Sequence, residues 1–228
     1  MRDFAEDTSR THGPAVVRSG PSDETGSAPV VVVVDPGGTA SHGELPATWR
    51  PLTEHLRVVW CRLPAADGPW RAVDEVLEGL SDRRGTVHLV SSGPVAENVL
   101  DAASRHSALL DSVLLVDPEA GDTPVPAGAE QMARSVWEER TMPQRRDLAA
   151  AGVEVRVVAR SHAGDTDRID PPLPLGHPEV VMGVTRELLA LGEHPSPHVD
   201  PARASVLGDA VSAVLRTLEN ALDRVRHT

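Results

Sequence analysis

The chain has 228 residues, with 34 Asp and Glu against 22 basic residues that are all Arg, giving a formal charge of −12. That balance argues against nucleic acid or an anionic membrane as partner, since both reward clustered basic side chains, and no apolar run approaches the ~20 residues of a membrane helix. Hydrophobic residues make up 40% and aromatics 2%, so one globular domain filled mainly by Val, Leu and Ala is expected, with the four tryptophans as its bulkiest core or pocket residues.

Residues 1–13 mix charge, Ser, Thr and Gly without periodicity and read as a disordered tail. Residues 15–18 fit a short strand, and 20–29 are turn chemistry. Five consecutive valines at 30–34 predict a buried parallel strand, because a strand without polar alternation needs cover on both faces. Trp49, Leu52 and Leu56 recur at helical spacing over 45–56, and a strand follows over 56–61. A helix over 70–80 with Val73, Val76, Leu77 and Leu80 on one face ends before Gly85, and 86–90 is the next strand.

Residues 94–106 read as helix and 112–116 as strand, running into Asp117-Pro118. Residues 129–151 suit one or two helices interrupted near Pro143. The strand 153–159 is followed by a helix over 179–191, closed by Gly192. Residues 193–200 are a Pro/His-rich linker, after which Asp200 caps and Pro201 starts a final helix to about 226. Its stripe of Leu207, Val211, Val214, Leu218, Leu222 and Val225 packs on its own domain or forms a homodimer contact. Strands alternating with helices over 14–192 mean a parallel sheet wound on both faces.

The strand 86–90 enters Ser91-Ser92-Gly93-Pro94-Val95, and the helix beyond leads to Val113-Leu114-Leu115-Val116-Asp117-Pro118. This run resembles the α/β-hydrolase segment from nucleophile elbow to following strand, in which Gly-x-Ser-x-Gly lifts a serine over the sheet. The resemblance spans roughly 15–192. It implies a three-layer α/β fold with a mostly parallel, doubly wound sheet, a reduced or absent lid, and a C-terminal helix added outside the family pattern.

In that register Ser91 stands for the first glycine, Gly93 for the nucleophile and Val95 for the last glycine, so all three motif residues differ. A glycine offers no nucleophile. A slip of one residue makes Ser92 the nucleophile, flanked by Val90 and Pro94 in place of glycines. Where the family has His-Gly after its first long strand, this chain has Asp35-Pro36-Gly37-Gly38. The amides of Gly37 and Gly38, with Pro94 beside the turn, are the oxyanion or ligand-binding candidates, although Asp35 adds negative charge there and a plain Gly turn is the alternative.

Asp165, with Asp167 as competitor, falls near the place of the triad acid, and His177 in Leu175-Gly176-His177-Pro178 resembles the triad histidine. Twelve residues separate Asp165 from His177, too few for the strand the family places between them. Between 118 and 152 there is room for one or two helices in place of a full lid, with Trp137 and Met142 as pocket walls.

Other chemistry is thinner. His194, His198 and Asp200 lie on a proline-rich linker and make no metal site, and no dinucleotide or phosphate-loop motif is present, so no cofactor is expected. Asp117, Glu119 and Asp122 follow a strand and read as a solvated loop. Lone Cys61 and the absence of a charged-then-apolar leader point to a cytoplasmic protein.

Three functions follow from these residues. The first is a hydrolase-like protein that has lost acyl chemistry and binds a small molecule or a protein. The second is an ester or thioester hydrolase using Ser92, His177 and Asp165. The third is a nucleophile-free lyase, isomerase or cyclase with His177 as general base.

Overall fold

Val30 to Val34 are wholly buried in the middle of a six-stranded sheet. In the computed structural model the described residues are 16–22, 25–36, 44–63, 70–121, 128–161, 171–194 and 199–226, the backbone alone over 218–226. The 1–13 tail, Gly37, Gly38, Asp122, Asp165, Asp167 and His198 lie outside them. The valine strand β2 (Val30–Asp35) pairs in parallel with β3 (Arg57–Arg62) on one side and β4 (Val87–Ser92) on the other. Beyond β4 follow β5 (Ser112–Val116) and β6 (Glu154–Ala159), both parallel, and β1 (Val16–Ser19) pairs antiparallel with β3. The order is β1-β3-β2-β4-β5-β6.

Side chains alternate across each strand, so the valine run feeds two cores. Val30, Val32 and Val34 face α1 (Trp70–Glu78), α2 (Ala96–Arg105) and α3 (Glu130–Ala150) through Val73, Leu77, Val99, Leu100 and Trp137. Val31 and Val33 face Trp49, Leu52, α4 (Pro178–Glu193) and α5 (Pro201–Arg226). Burying each such side chain is worth about 1.5–3 kcal/mol, which is why this strand needs no polar position. Helices cover both faces of the sheet, as the sequence predicts.

Several local expectations need correction. Residues 47–54 form a 3₁₀ segment instead of an α-helix; Pro51 inside it has no N–H to give to the i→i−4 ladder. The expected helix at 94–106 opens as a 3₁₀ turn, Gly93–Val95, before α2 begins. α3 runs unbroken through Pro143, and both Pro143 and Glu139, the residue whose carbonyl loses its helical donor there, are exposed. Trp137 is a buried core residue 2% exposed, not a pocket wall, whereas Met142 is half exposed and lines an open groove between α3 and β6.

Gly192 does not stop α4. A β-carbon there would lie 2.6 Å from the Gly208 backbone, so this glycine permits α4 and α5 to cross at close range. Asp200 does cap α5, its Oδ1 accepting from Ala202 N at 2.9 Å. Leu207, Val211 and Val214 are buried against the α4 side of the sheet, so this part of the stripe packs on its own domain. Among the described residues, α3 is the one helix between β5 and β6.

Candidate functional site

From β2 the chain moves outward to β3, whereas from β4 it moves the opposite way to β5 and β6. The order therefore reverses between β2 and β4, and the crevice outside the carboxyl ends of these strands is where ligands bind in open α/β sheets. Asp35 ends β2 and Ser92 ends β4. The turn singled out from the sequence thus stands at the topological switch point.

Its backbone is a sharp strand-to-helix turn. Ser92 is extended (φ −136°, ψ 157°), and Gly93 follows at φ +56°, a conformation that side-chain-bearing residues adopt at a cost. Ser91 is buried and donates its hydroxyl to Val34 O at 2.9 Å, stitching β4 to β2. Ser92 is 3% exposed. Above Gly93 the space is filled. A β-carbon there would lie 2.6 Å from Pro172 Cγ and 3.0 Å from Pro172 Cβ, with Ala120 O at 3.4 Å.

Pro172 is held in place by Asp117. Buried at the end of β5 with φ 43°, Asp117 accepts from Leu173 N at 2.7 Å, from Ser161 N at 2.6 Å and from Ser161 Oγ at 2.7 Å. One carboxylate thus ties the ends of β5 and β6 to the segment that closes over Gly93. The expectation of a solvated acidic loop is wrong here: Asp117 is 4% exposed, and Glu119 is paired with Arg134 and Arg160. Neither Asp117 nor Pro172 was legible as a site residue, although an Asp-Pro after a strand and a Pro-Pro before the His177 loop were visible.

The His177 loop is fastened from the other side by the 3₁₀ segment. Trp49 Nε1 donates to Leu175 O at 2.7 Å, and Thr48 Oγ1 donates to Gly176 O at 2.8 Å. His177 is the N-cap of α4, its Nδ1 accepting from Glu179 N at 3.3 Å. In this contact Nδ1 acts as an acceptor, whereas a triad histidine uses Nδ1–H as a donor to its acid. No hydrogen bond joins His177 to Ser92 among the described residues. On β2, Asp35 accepts from Trp60 Nε1 at 3.0 Å, placing a carboxylate at the same sheet edge.

The sheet is a mostly parallel, doubly wound α/β fold. No family profile matches the chain, and no curated protein sequence does. Among solved structures, a hydrolase from Oleispira antarctica aligns over 89% of this chain and 85% of its own, at 9% identity and a TM-score of 0.33. The fold assignment rests on the strand order and the two helical layers. Among the described residues no group of three or more His, Cys, Asp or Glu is placed to hold a metal ion, and no helix is long and apolar enough to cross a membrane.

Proposed function

We propose that this chain is an α/β-hydrolase-like protein that does not perform serine-hydrolase chemistry and acts instead by binding a small molecule or a protein. One observation carries the reading. The residue in the nucleophile's place is Gly93, and the space a side chain would need there is taken by Pro172 at 2.6 Å. The contact of His177 works in the same direction, because its Nδ1 caps α4 and accepts from Glu179 N instead of donating to a triad acid. Asp35 supports it too, since it puts a carboxylate at the carboxyl end of the strand adjacent to β4, where the resembled family has His-Gly.

The test is exposure of the purified protein to p-nitrophenyl acetate and to a fluorophosphonate probe, with neither turnover above background nor labelling expected. Turnover or labelling that disappears in Ser92→Ala overturns the reading and establishes a displaced serine nucleophile, with Asp165 or Asp167 left to be assigned as acid. Turnover kept in Ser92→Ala and lost in His177→Ala overturns it in favour of nucleophile-free proton transfer.

A further inference from the structure

β6 is the last strand of the sheet, and among the described residues nothing pairs with its outer edge. Unpaired edges template further strand pairing, and proteins either blunt them or use them. The backbone polarity of this edge follows from one bond. Glu154 N donates to Asp111 O at 3.1 Å, so Glu154 and, by alternation, Arg156 turn their backbone groups towards β5. Val155 and Val157 turn theirs outward. Both valines are half-buried, packed on the α3 face of the sheet.

We propose that β6 is the seam of a two-fold dimer of this chain, in which the β6 strands of two copies pair antiparallel about Val155. A two-fold axis normal to the sheet sets one residue opposite its own copy; centring on Glu154 or Arg156 sets like charges face to face, which leaves Val155 and Val157. Val153 is unsuited because its N–H is already given to Leu148 O at 2.9 Å. Centring on Val155 sets Glu154 opposite Arg156 of the second copy, and Val153 opposite its Val157. Centring on Val157 sets Arg156 opposite Val158 and runs the seam into the irregularity where β5 and β6 shift register near Val116. Opposite charges and β-branched pairs facing each other stabilise antiparallel strands, so the Val155 register is the complementary one.

The charges are poised for that register. Arg156 already donates to Glu154 and to Glu187 on α4, each at 2.8 Å, and these carboxylates hold its guanidinium proton more firmly than usual, Glu187 foremost. In the dimer this row meets its inverse, giving alternating acid and base across the seam. Beside it a groove of about 400 Å³ between α3 and β6 is lined by Met142, Ala149 and Val155, and Met142 is half exposed in the single chain. Arg145 and Arg146 line it as well and bring like charge towards the axis, so the Glu154–Arg156 pairs decide the association.

The inference is independent of whether the Gly93 turn is inert. Light scattering on the full chain at micromolar concentration is expected to give twice the chain mass, falling to the single-chain mass in Glu154→Arg and in Arg156→Glu. Each variant sets like charges opposite one another, but an equal mixture of the two restores opposite pairing and is expected to recover the double mass. Val155→Pro, which removes an outward N–H without touching the β5 ladder, is expected to be a single chain with unchanged circular dichroism. A single-chain mass for the unaltered protein overturns the proposal. So does a double mass that survives in Arg156→Glu and Val155→Pro, because association then runs through another surface such as α5.

Discussion

At Gly93 two independent constraints meet, a left-handed backbone and a neighbour at 2.6 Å, and each separately rejects a side chain. Gly93→Ser, the substitution that would restore a serine to the elbow, is therefore expected to lose about 2–4 kcal/mol in urea unfolding through αL strain and displacement of Pro172. It is also expected to remain unlabelled by a fluorophosphonate. A labelled, undiminished Gly93→Ser protein would show that the 171–173 segment opens readily and does not close the space above the turn. The turn itself was legible in the sequence because it is local: a strand, two serines, a glycine and a helix read in order. Pro172 was not, since it reaches Gly93 from a distant part of the chain through the buried carboxylate of Asp117, and no periodicity records a hydrogen bond of that kind.

Elements were legible in proportion to how far their own residues determine them. The valines of β2 and the apolar stripe of α4 specify buried faces by pattern, and Asp200-Pro201 specifies a helix start by cap chemistry. The role of Gly192 is not legible, because a glycine near the end of an apolar stripe looks the same whether it stops a helix or admits a neighbour. The α4–α5 crossing makes a prediction that separates these roles. A β-carbon on Gly192 meets the Gly208 backbone at 2.6 Å, whereas one on Gly208 finds Gly192 at an ordinary 3.6 Å. Gly192→Ala is thus expected to destabilise by about 1–3 kcal/mol through overpacking, while Gly208→Ala is expected to be neutral or to gain up to about 1 kcal/mol from helix propensity. Thermal unfolding of the two variants distinguishes them, and equal losses would refute the asymmetric crossing.

At the scale of the whole molecule, the end of the sheet opposite the turn holds a buried polar cluster that links acid stability to α5. His88, on β4, is fully buried with Nδ1 2.9 Å from Ser112 Oγ, and its Nε2 meets no hydrogen-bond partner among the described residues; Thr86 and Asp111 line the same cavity of about 10 Å³. Burial, with a smaller contribution from the Arg203 guanidinium, pushes the His88 pKa down from 6.5 to about 3. The unfolded chain therefore binds a proton between pH 6.5 and 3 that the folded chain refuses, so this contribution to stability is complete above pH 6.5 and is lost as pH falls through that window. At about 1.4 kcal/mol per pH unit the loss reaches at most about 5 kcal/mol. Asp111 acts in the opposite sense: burial raises its pKa against the bonds from Val87 N and Arg203, so its contribution weakens as pH rises above 3.8. The two overlap, and the measurement that isolates His88 is the difference in unfolding free energy between the wild type and His88→Gln across pH 3 to 7. That difference is expected to grow in favour of the wild type from pH 4 to pH 7, because the variant lacks the titrating group. A pH-independent difference would mean that His88 titrates in the folded protein as it does in the unfolded chain. α5 is the element to follow in the same titration, since Arg203 joins it to Gly85 O at 2.7 Å and to Asp111 at 3.0 Å, making it the helix that a proton on His88 is expected to release first.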